Sequence, residues 1–120
     1  MIQIKIYRKE RGSVHLVIMG HAGAAPRGKD PVCAGVSALA CTAAQAVTDL
    51  HRCGFLRCRP RIVLEDGYAV IIATPKWEYM AEVMMTFWVV QTGLSVIAAN
   101  FPRFVRVESH GFGCPGPMMS

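Results

Sequence analysis

The chain has 120 residues, of which 52% are hydrophobic, and a formal net charge of +5. This length suits one domain with a single core, and this apolar content excludes an intrinsically disordered chain. The first residues alternate and then become charged, so they lack the apolar segment of a signal peptide, and we expect a cytoplasmic protein.

The predicted elements begin with a hairpin. IQIKIYR at 2–8 alternates apolar and polar residues as a half-buried strand does, and the more apolar VHLVIMG at 14–20 is a second strand. A loop of glycines and small residues follows. Asp30 is a favoured N-cap and Pro31 suits the first helical position, so we predict a helix that starts there and ends near Gly54.

A second hairpin and a second helix follow. The segment 61–75 holds two apolar runs on either side of Asp66-Gly67, and Asp-Gly is a strong hairpin signal. A helix is predicted over 77–100. Its seventeen uncharged residues at 83–99 reach the lower limit for a membrane span. Because polar residues interrupt this run, we interpret the helix as packed in the core or in a dimer interface, with no membrane contact.

The chain closes with a short strand and a tail. RFVRVE at 103–108 is the last predicted strand, and the Gly/Pro-rich segment 109–120 is predicted to be flexible. The order β-β-α-β-β-α-β predicts an α+β fold. In this fold two long helices pack on a mainly antiparallel sheet, and residues 1–108 form a single domain.

The basic and cysteine-containing segments favour no nucleic-acid or metal site. Four arginines lie in HRCGFLRCRPR at 51–61, without the stacked aromatics of an RNA-binding motif, so we interpret the segment as a solvated loop and strand edge. There is no C-x-x-C pair, and direct nucleic-acid binding, a metal and a cofactor are not expected. Four cysteines receive no predicted role: Cys41, Cys53, Cys58 and Cys114.

One loop nearly matches a phosphate-binding loop. GAAPRGKD at 23–30 fits G-x-x-x-x-G-K-[ST] at every position except the last, where Asp30 replaces the hydroxyl that would bind Mg²⁺. A carboxylate there would repel a triphosphate. The preceding strand also belongs to a hairpin rather than to a parallel βαβ unit, so nucleotide binding is not favoured.

The two ends of the same loop suggest a cysteine nucleophile. With Asp30 as N-cap, Cys33 is the third helical residue, where unpaired amides and the helix dipole favour an anion. His21 follows the second strand and could take the thiol proton. Free amides near Cys33 could stabilise an oxyanion. Asp30 could cap the helix or orient His21. The alternative is a packed cysteine and a surface histidine.

These residues resemble the signature of the bacterial ribosomal-processing cysteine protease family. The resemblance covers about twenty residues and, more weakly, the opening strand pair and the ending TGLSVIAANFPRFVRVE at 92–108. It is carried by Gly20-His21-Ala22, Gly28, Asp30, Val32-Cys33-Ala34 and Val36-Ser37-Ala38-Leu39.

The resemblance implies a cysteine endopeptidase that acts as a cytoplasmic homodimer. Such proteins remove a short N-terminal extension from a large-subunit ribosomal protein, cutting after an aromatic pair. The family's catalytic histidine and cysteine map onto His21 and Cys33, and its loop between them is mobile and lies over the peptide. Supporting and loop positions map onto Asp30, Ser37, Ala22, Gly23 and Gly28.

Two other functions stay open from the sequence. Pro26, Arg27 and Lys29 make the loop more basic and less flexible than the resemblance leads us to expect, which leaves the substrate open. A phage capsid or scaffold protein with a similar cleavage sequence is a second candidate substrate. A non-catalytic module that binds a ribosomal protein or RNA through its basic face is the alternative from another class.

Overall fold

The computed structural model describes residues 1–26 and 28–110. Within these ranges the chain forms five strands and two long helices, with a short 3-10 turn at Trp77–Tyr79 before the second helix. In chain order they are β1 (Ile2–Arg8), β2 (Val14–Met19), α1 (Pro31–Arg52), β3 (Arg61–Glu65), β4 (Tyr68–Ala73), α2 (Met80–Asn100) and β5 (Val105–His110). The predicted α+β order is confirmed.

The five strands form one sheet in the order β3-β4-β2-β1-β5. Both hairpins are antiparallel, and β2 also pairs antiparallel with β4, which joins the hairpins into one sheet. Only β5 runs parallel to its neighbour β1, because α2 carries the chain back across the sheet before β5 begins. The sheet is therefore mainly antiparallel, as predicted.

Both helices cover the same face of this sheet. In β1 the alternate residues Ile2, Ile4 and Ile6 are buried, so one face of the strand meets the helices and the other faces away. The helical side of the core contains small and aliphatic residues from α1 and larger ones from α2. They are Val32, Val36, Ala40, Ala43, Ala44, Val47, Val83, Phe87, Val90 and Leu94.

The two helices approach closely where glycine leaves room for a neighbouring side chain. A Cβ at Gly93 of α2 would lie 3.0 Å from both terminal carbons of Leu39 in α1. Since that contact is tighter than side chains normally accept, Gly93 allows Leu39 to fill the helix interface. The close contact fixes α1, and with it the start of that helix, relative to the rest of the core.

The bounds of the last strand differ from the prediction. Strand β5 runs to His110 rather than to Glu108, because Ser109 and His110 continue the parallel pairing with β1. These two residues were predicted to belong to the flexible tail. The remainder of that predicted tail, 111–120, lies outside the described residues. At the end of α1, Gly54 has φ +80°, as expected for the glycine that follows a helix.

By length and composition α1 and the segment 77–100 could each cross a membrane. Both lay their buried residues on the sheet, so the interpretation of 77–100 as a core helix is confirmed for its inner face. Its outer face keeps apolar residues exposed, among them Met85, Val89 and Val96.

The face of the sheet opposite the helices holds a buried histidine. The ring of His15 stacks on Tyr7 with centroids 4.8 Å apart, and its Nε2 lies 2.9 Å from the Ser13 hydroxyl. Burial, aided by the positive charge of Lys9, lowers the pKa of His15 below its usual range. Folding therefore favours the neutral ring.

This histidine makes folding sensitive to mild acid. Because its folded pKa is lowered, the unfolded chain binds the proton first, and stability falls as the pH drops below about 6.5, the unfolded value, towards the folded pKa. We expect His15→Phe, which keeps the ring stacking, to reduce this fall. Urea unfolding at neutral and mildly acidic pH measures it, and an identical fall in both proteins would contradict the prediction.

Candidate active site

Asp30 starts α1 as predicted. Its Oδ1 accepts hydrogen bonds from the backbone amides of Val32 at 2.9 Å and Cys33 at 3.1 Å, and its carbonyl accepts the Ala34 amide at 3.0 Å. Pro31 occupies the first helical position, where no amide proton is needed. The side chain of Asp30 thus satisfies two of the amides that a helix start leaves unpaired, and its carbonyl accepts the first regular hydrogen bond of the helix.

The second oxygen of the same carboxylate holds the preceding loop. Oδ2 of Asp30 accepts the amides of Ala24 at 3.0 Å and Ala25 at 3.4 Å. Burial raises the pKa of Asp30, but the hydrogen bonds from Cys33, Ala24, Val32 and Ala25 outweigh it, so the pKa lies below its usual value. Asp30 is therefore an anion shared between the helix and the loop.

Cys33 lies in the first turn of α1, partly exposed, with its thiol turned towards the loop. The Sγ atom accepts a hydrogen bond from the Ala22 amide at 3.3 Å. Ala22 itself is buried, so this end of the loop is anchored against the helix. This hydrogen bond fixes the position of the sulfur, which is the nucleophilic atom in cysteine chemistry.

His21 lies at the other end of the loop, directly after β2 and Gly20. Its Nε2 is 3.8 Å from Oδ1 of Asp66, in the turn between β3 and β4. The ring rests on Gly67, where an added Cβ would stand 2.7 Å from Nε2. In the described part of the chain no hydrogen bond joins His21 to Cys33, but both side chains line the same cavity.

Two adjoining cavities meet at these side chains. One, of about 140 Å³, has apolar walls that include Ile18, Val36 and Ala40. The other, of about 230 Å³, lies beneath the loop. Both are lined by His21, Cys33, Ser37 and Asp66. The cavity beneath the loop also contacts Gly23, Gly28 and Asp30. The structure thus brings all the predicted site residues together, and Ala22 joins them through the Cys33 thiol.

The structure corrects one prediction about this site and decides between the two alternatives of another. The amides of Val32 and Cys33 were expected to be free for an oxyanion, but both donate to Asp30, so they are not available for that role here. Asp30 was expected either to cap the helix or to orient His21. All its hydrogen bonds go to backbone amides, and Asp66 is the carboxylate near His21.

Three other cysteines of the described residues do not line either cavity of the site. Cys41, Cys53 and Cys58 are free thiols on the surface rather than buried packing residues. Among the residues described, no three or more His, Cys, Asp or Glu side chains are grouped so that they could hold a metal ion.

The two roles of Asp30 can be separated by Asp30→Asn. An amide retains one acceptor for the helix cap, but it places a donor where Ala24 and Ala25 also donate. We expect faster hydrogen exchange at those two amides, with smaller changes at Val32 and Cys33, and a melting temperature lower by several degrees.

The same variant should also change how stability depends on pH in acid. Because the folded pKa of Asp30 is lowered, its stabilising effect is complete above the unfolded value of about 3.8 and is lost as the pH falls through the folded pKa. Asp30→Asn should lack this acid-dependent part of stability. Unchanged exchange at Ala24 and Ala25 together with an unchanged acid profile would contradict the assignment.

Comparison with known proteins agrees with this fold. An essential ribosomal processing protease, Prp from S. aureus in complex with a covalently linked product peptide, is 25% identical with a TM-score of 0.71, over 91% of this chain and 99% of that chain. SMU.848 from Streptococcus mutans is 26% identical with a TM-score of 0.64, over 92% and 94%. No curated protein matches. A family model described as cysteine protease Prp matches residues 1–106, and the chain therefore belongs to the Prp family of cysteine proteases.

Proposed function

We propose that the protein is a cysteine endopeptidase in which Cys33 is the nucleophile and His21 the general base and acid. The observation that carries the proposal is that both side chains line one cavity, with the thiol in the first turn of α1 and an amide directed at its sulfur. The family match supports a cysteine peptidase. Cys33 and His21 stand at the two ends of the loop between β2 and α1.

The reaction follows from these groups. The imidazole of His21 removes the proton of the Cys33 thiol, and the sulfur attacks the carbonyl carbon of the scissile peptide bond. The imidazolium then gives this proton to the leaving amine as the C–N bond breaks, which leaves a thioester on Cys33. Water, deprotonated by the same imidazole, attacks the thioester, the C–S bond breaks, and the acid product and free thiol are released.

The smaller cavity supports a preference for aromatic residues. Its apolar wall is formed by α1 and the sheet, and its volume is about 140 Å³. An apolar cavity of about 150 Å³ accepts benzene in a protein core, so this one matches a single aromatic ring. We propose that an aromatic side chain next to the cleaved bond enters here, with the peptide held under the loop between His21 and Cys33.

The proposed substrate is the N-terminal extension of a large-subunit ribosomal protein, processed in the cytoplasm. The likeness to a ribosomal processing protease with a bound product peptide supports this choice. A phage capsid or scaffold protein bearing a similar aromatic sequence is the second candidate substrate.

Removing either reacting group should stop peptide cleavage. We expect Cys33→Ala to abolish cleavage of a peptide with an aromatic pair, and His21→Ala to lower kcat about 100-fold or more, because general acid-base catalysis contributes about that much. Product formation is measured by mass spectrometry, on the ribosomal extension and on the phage sequence in parallel. Replacing the aromatic pair by alanine should lower kcat/KM.

Cys41→Ala is the matched control, since Cys41 lies further along α1 and is exposed. It should cleave at the wild-type rate. Cleavage by Cys33→Ala equal to wild type would show that the nucleophile is elsewhere. The non-catalytic module would be supported instead if the wild-type protein binds the peptide without cleaving it and if this binding weakens steeply with salt.

We also propose that the protein acts as a homodimer through the outer face of α2. Met85, Val89 and Val96 share this face at helical spacing, and they are 45%, 58% and 56% exposed. Exposed apolar side chains in one stripe favour burial against another chain.

Val89→Glu tests the dimer. A charge in the centre of an apolar interface should raise the dissociation constant about tenfold or more, because it must lose its hydration on association. Sedimentation velocity measures the change, with Thr42→Glu on the exposed face of α1 as a control that adds the same charge outside the proposed interface. A monomeric wild-type protein at micromolar concentration, or a dimer unaffected by Val89→Glu, would contradict the proposal.

A further inference from the structure

We propose that Asp66 is a positioning residue that holds the His21 imidazole in the tautomer and orientation that its reaction with Cys33 requires. This inference rests on the proposed function and adds a third group to it. The group comes from a different element of the fold, the turn between β3 and β4, and from a part of the sequence more than thirty residues beyond the loop.

The first support is the position of the carboxylate. Oδ1 of Asp66 lies 3.8 Å from Nε2 of His21, with side chains 65% and 43% exposed. The two atoms are too far apart for a hydrogen bond, and water reaches both side chains. Hydrogen bonds of catalytic groups are often long in free enzymes and shorten when substrate binds, because the substrate displaces water from the site. A peptide lying over His21 and Cys33 would cover this pair.

The second support is the surface behind the ring. Gly67 follows Asp66 and contacts the imidazole so closely that a Cβ there would stand 2.7 Å from Nε2 and 3.2 Å from Cε1. The glycine has φ +73°, which the turn requires in any case. The turn thus supplies a flat backbone surface for the ring and a carboxylate at its edge.

The third support is that this turn is fixed relative to His21. The Gly20 amide, one residue before His21, donates to the Gly67 carbonyl at 2.9 Å. The adjoining ladder pairs Met19 with Tyr68. The end of β2 and the turn therefore move together. Asp30, another carboxylate that lines the site, already accepts backbone amides through both oxygens.

The chemistry follows from the two nitrogens of imidazole. A neutral ring carries one N–H, and a carboxylate beside Nε2 favours the proton there. Nδ1 then keeps the lone pair that takes the Cys33 proton. Once this transfer has occurred, the ring carries a positive charge, and the negative charge of Asp66 stabilises the ion pair of imidazolium and thiolate. Asp66 itself neither gains nor loses a proton.

The test uses Asp66→Asn and Asp66→Ala, with Asp49→Asn as matched control. Asp49 is an exposed aspartate sixteen residues after Cys33 on α1, about 24 Å along the helix, and its replacement removes the same charge. We expect kcat to fall about three- to tenfold in Asp66→Ala with KM within twofold, a smaller fall in Asp66→Asn, and no change in Asp49→Asn.

A spectroscopic measurement separates positioning from a structural effect. Long-range ¹H–¹⁵N spectra report which ring nitrogen of His21 carries the proton. Wild type should show the Nε2–H tautomer, and Asp66→Ala should show a mixture, with the same melting temperature as Asp49→Asn within a few degrees. An unchanged tautomer in Asp66→Ala, or equal kcat values in all variants, would overturn the role of Asp66.

Failure of the proposed function gives a different result. If wild type fails to cleave any aromatic peptide, or if Cys33→Ala cleaves as well as wild type, the nucleophile assignment is wrong, whatever the ring spectra show. If wild type cleaves, Cys33→Ala does not, and Asp66→Ala matches Asp49→Asn in both rate and tautomer, the function stands and the Asp66 inference is wrong.

Discussion

The carboxylate of Asp30 is the group on which the geometry of the site depends. One of its oxygens caps α1 through Val32 and Cys33, and the other accepts the loop amides of Ala24 and Ala25. A helix start normally leaves its amides to water or to a cap that serves the helix alone. Here the cap also closes the loop, so the position of the thiol and the path of the chain that leads to it are set by a single charge.

The sheet supplies the other side of the site. Because β4 lies beside β2, the turn between β3 and β4 lies next to the end of β2, where His21 follows. The start of α1 is held over the same edge by the close packing of α1 on α2 and by its buried valine and alanine residues on the sheet. Three elements that are distant in sequence thus enclose one cavity. Function is placed on their loops while the core beneath them stays rigid.

The local parts of this arrangement could be predicted from the sequence, and the non-local parts could not. Asp30 followed by proline is a short-range signal, so the helix start and the place of Cys33 were predictable. The phosphate-loop pattern breaks at its last position because Asp30, which stands there, is the residue that caps the helix. The contact between His21 and Asp66 depends on the pairing of β2 with β4, which no neighbouring residues specify. The extension of β5 to His110 likewise depends on its pairing with β1, while the sequence there is rich in glycine and proline.

The central claim is that the loop ends bring one thiol and one imidazole together as a reacting pair. A peptidyl chloromethyl ketone with a terminal aromatic residue tests it most directly, because it alkylates a cysteine that is activated beside a bound peptide. Peptide mapping should find the label on Cys33 at a rate far above that of the other four cysteines, and this preference should disappear in His21→Ala. Comparable labelling of Cys33 and the surface cysteines, or a rate unaffected by His21→Ala, would contradict the account.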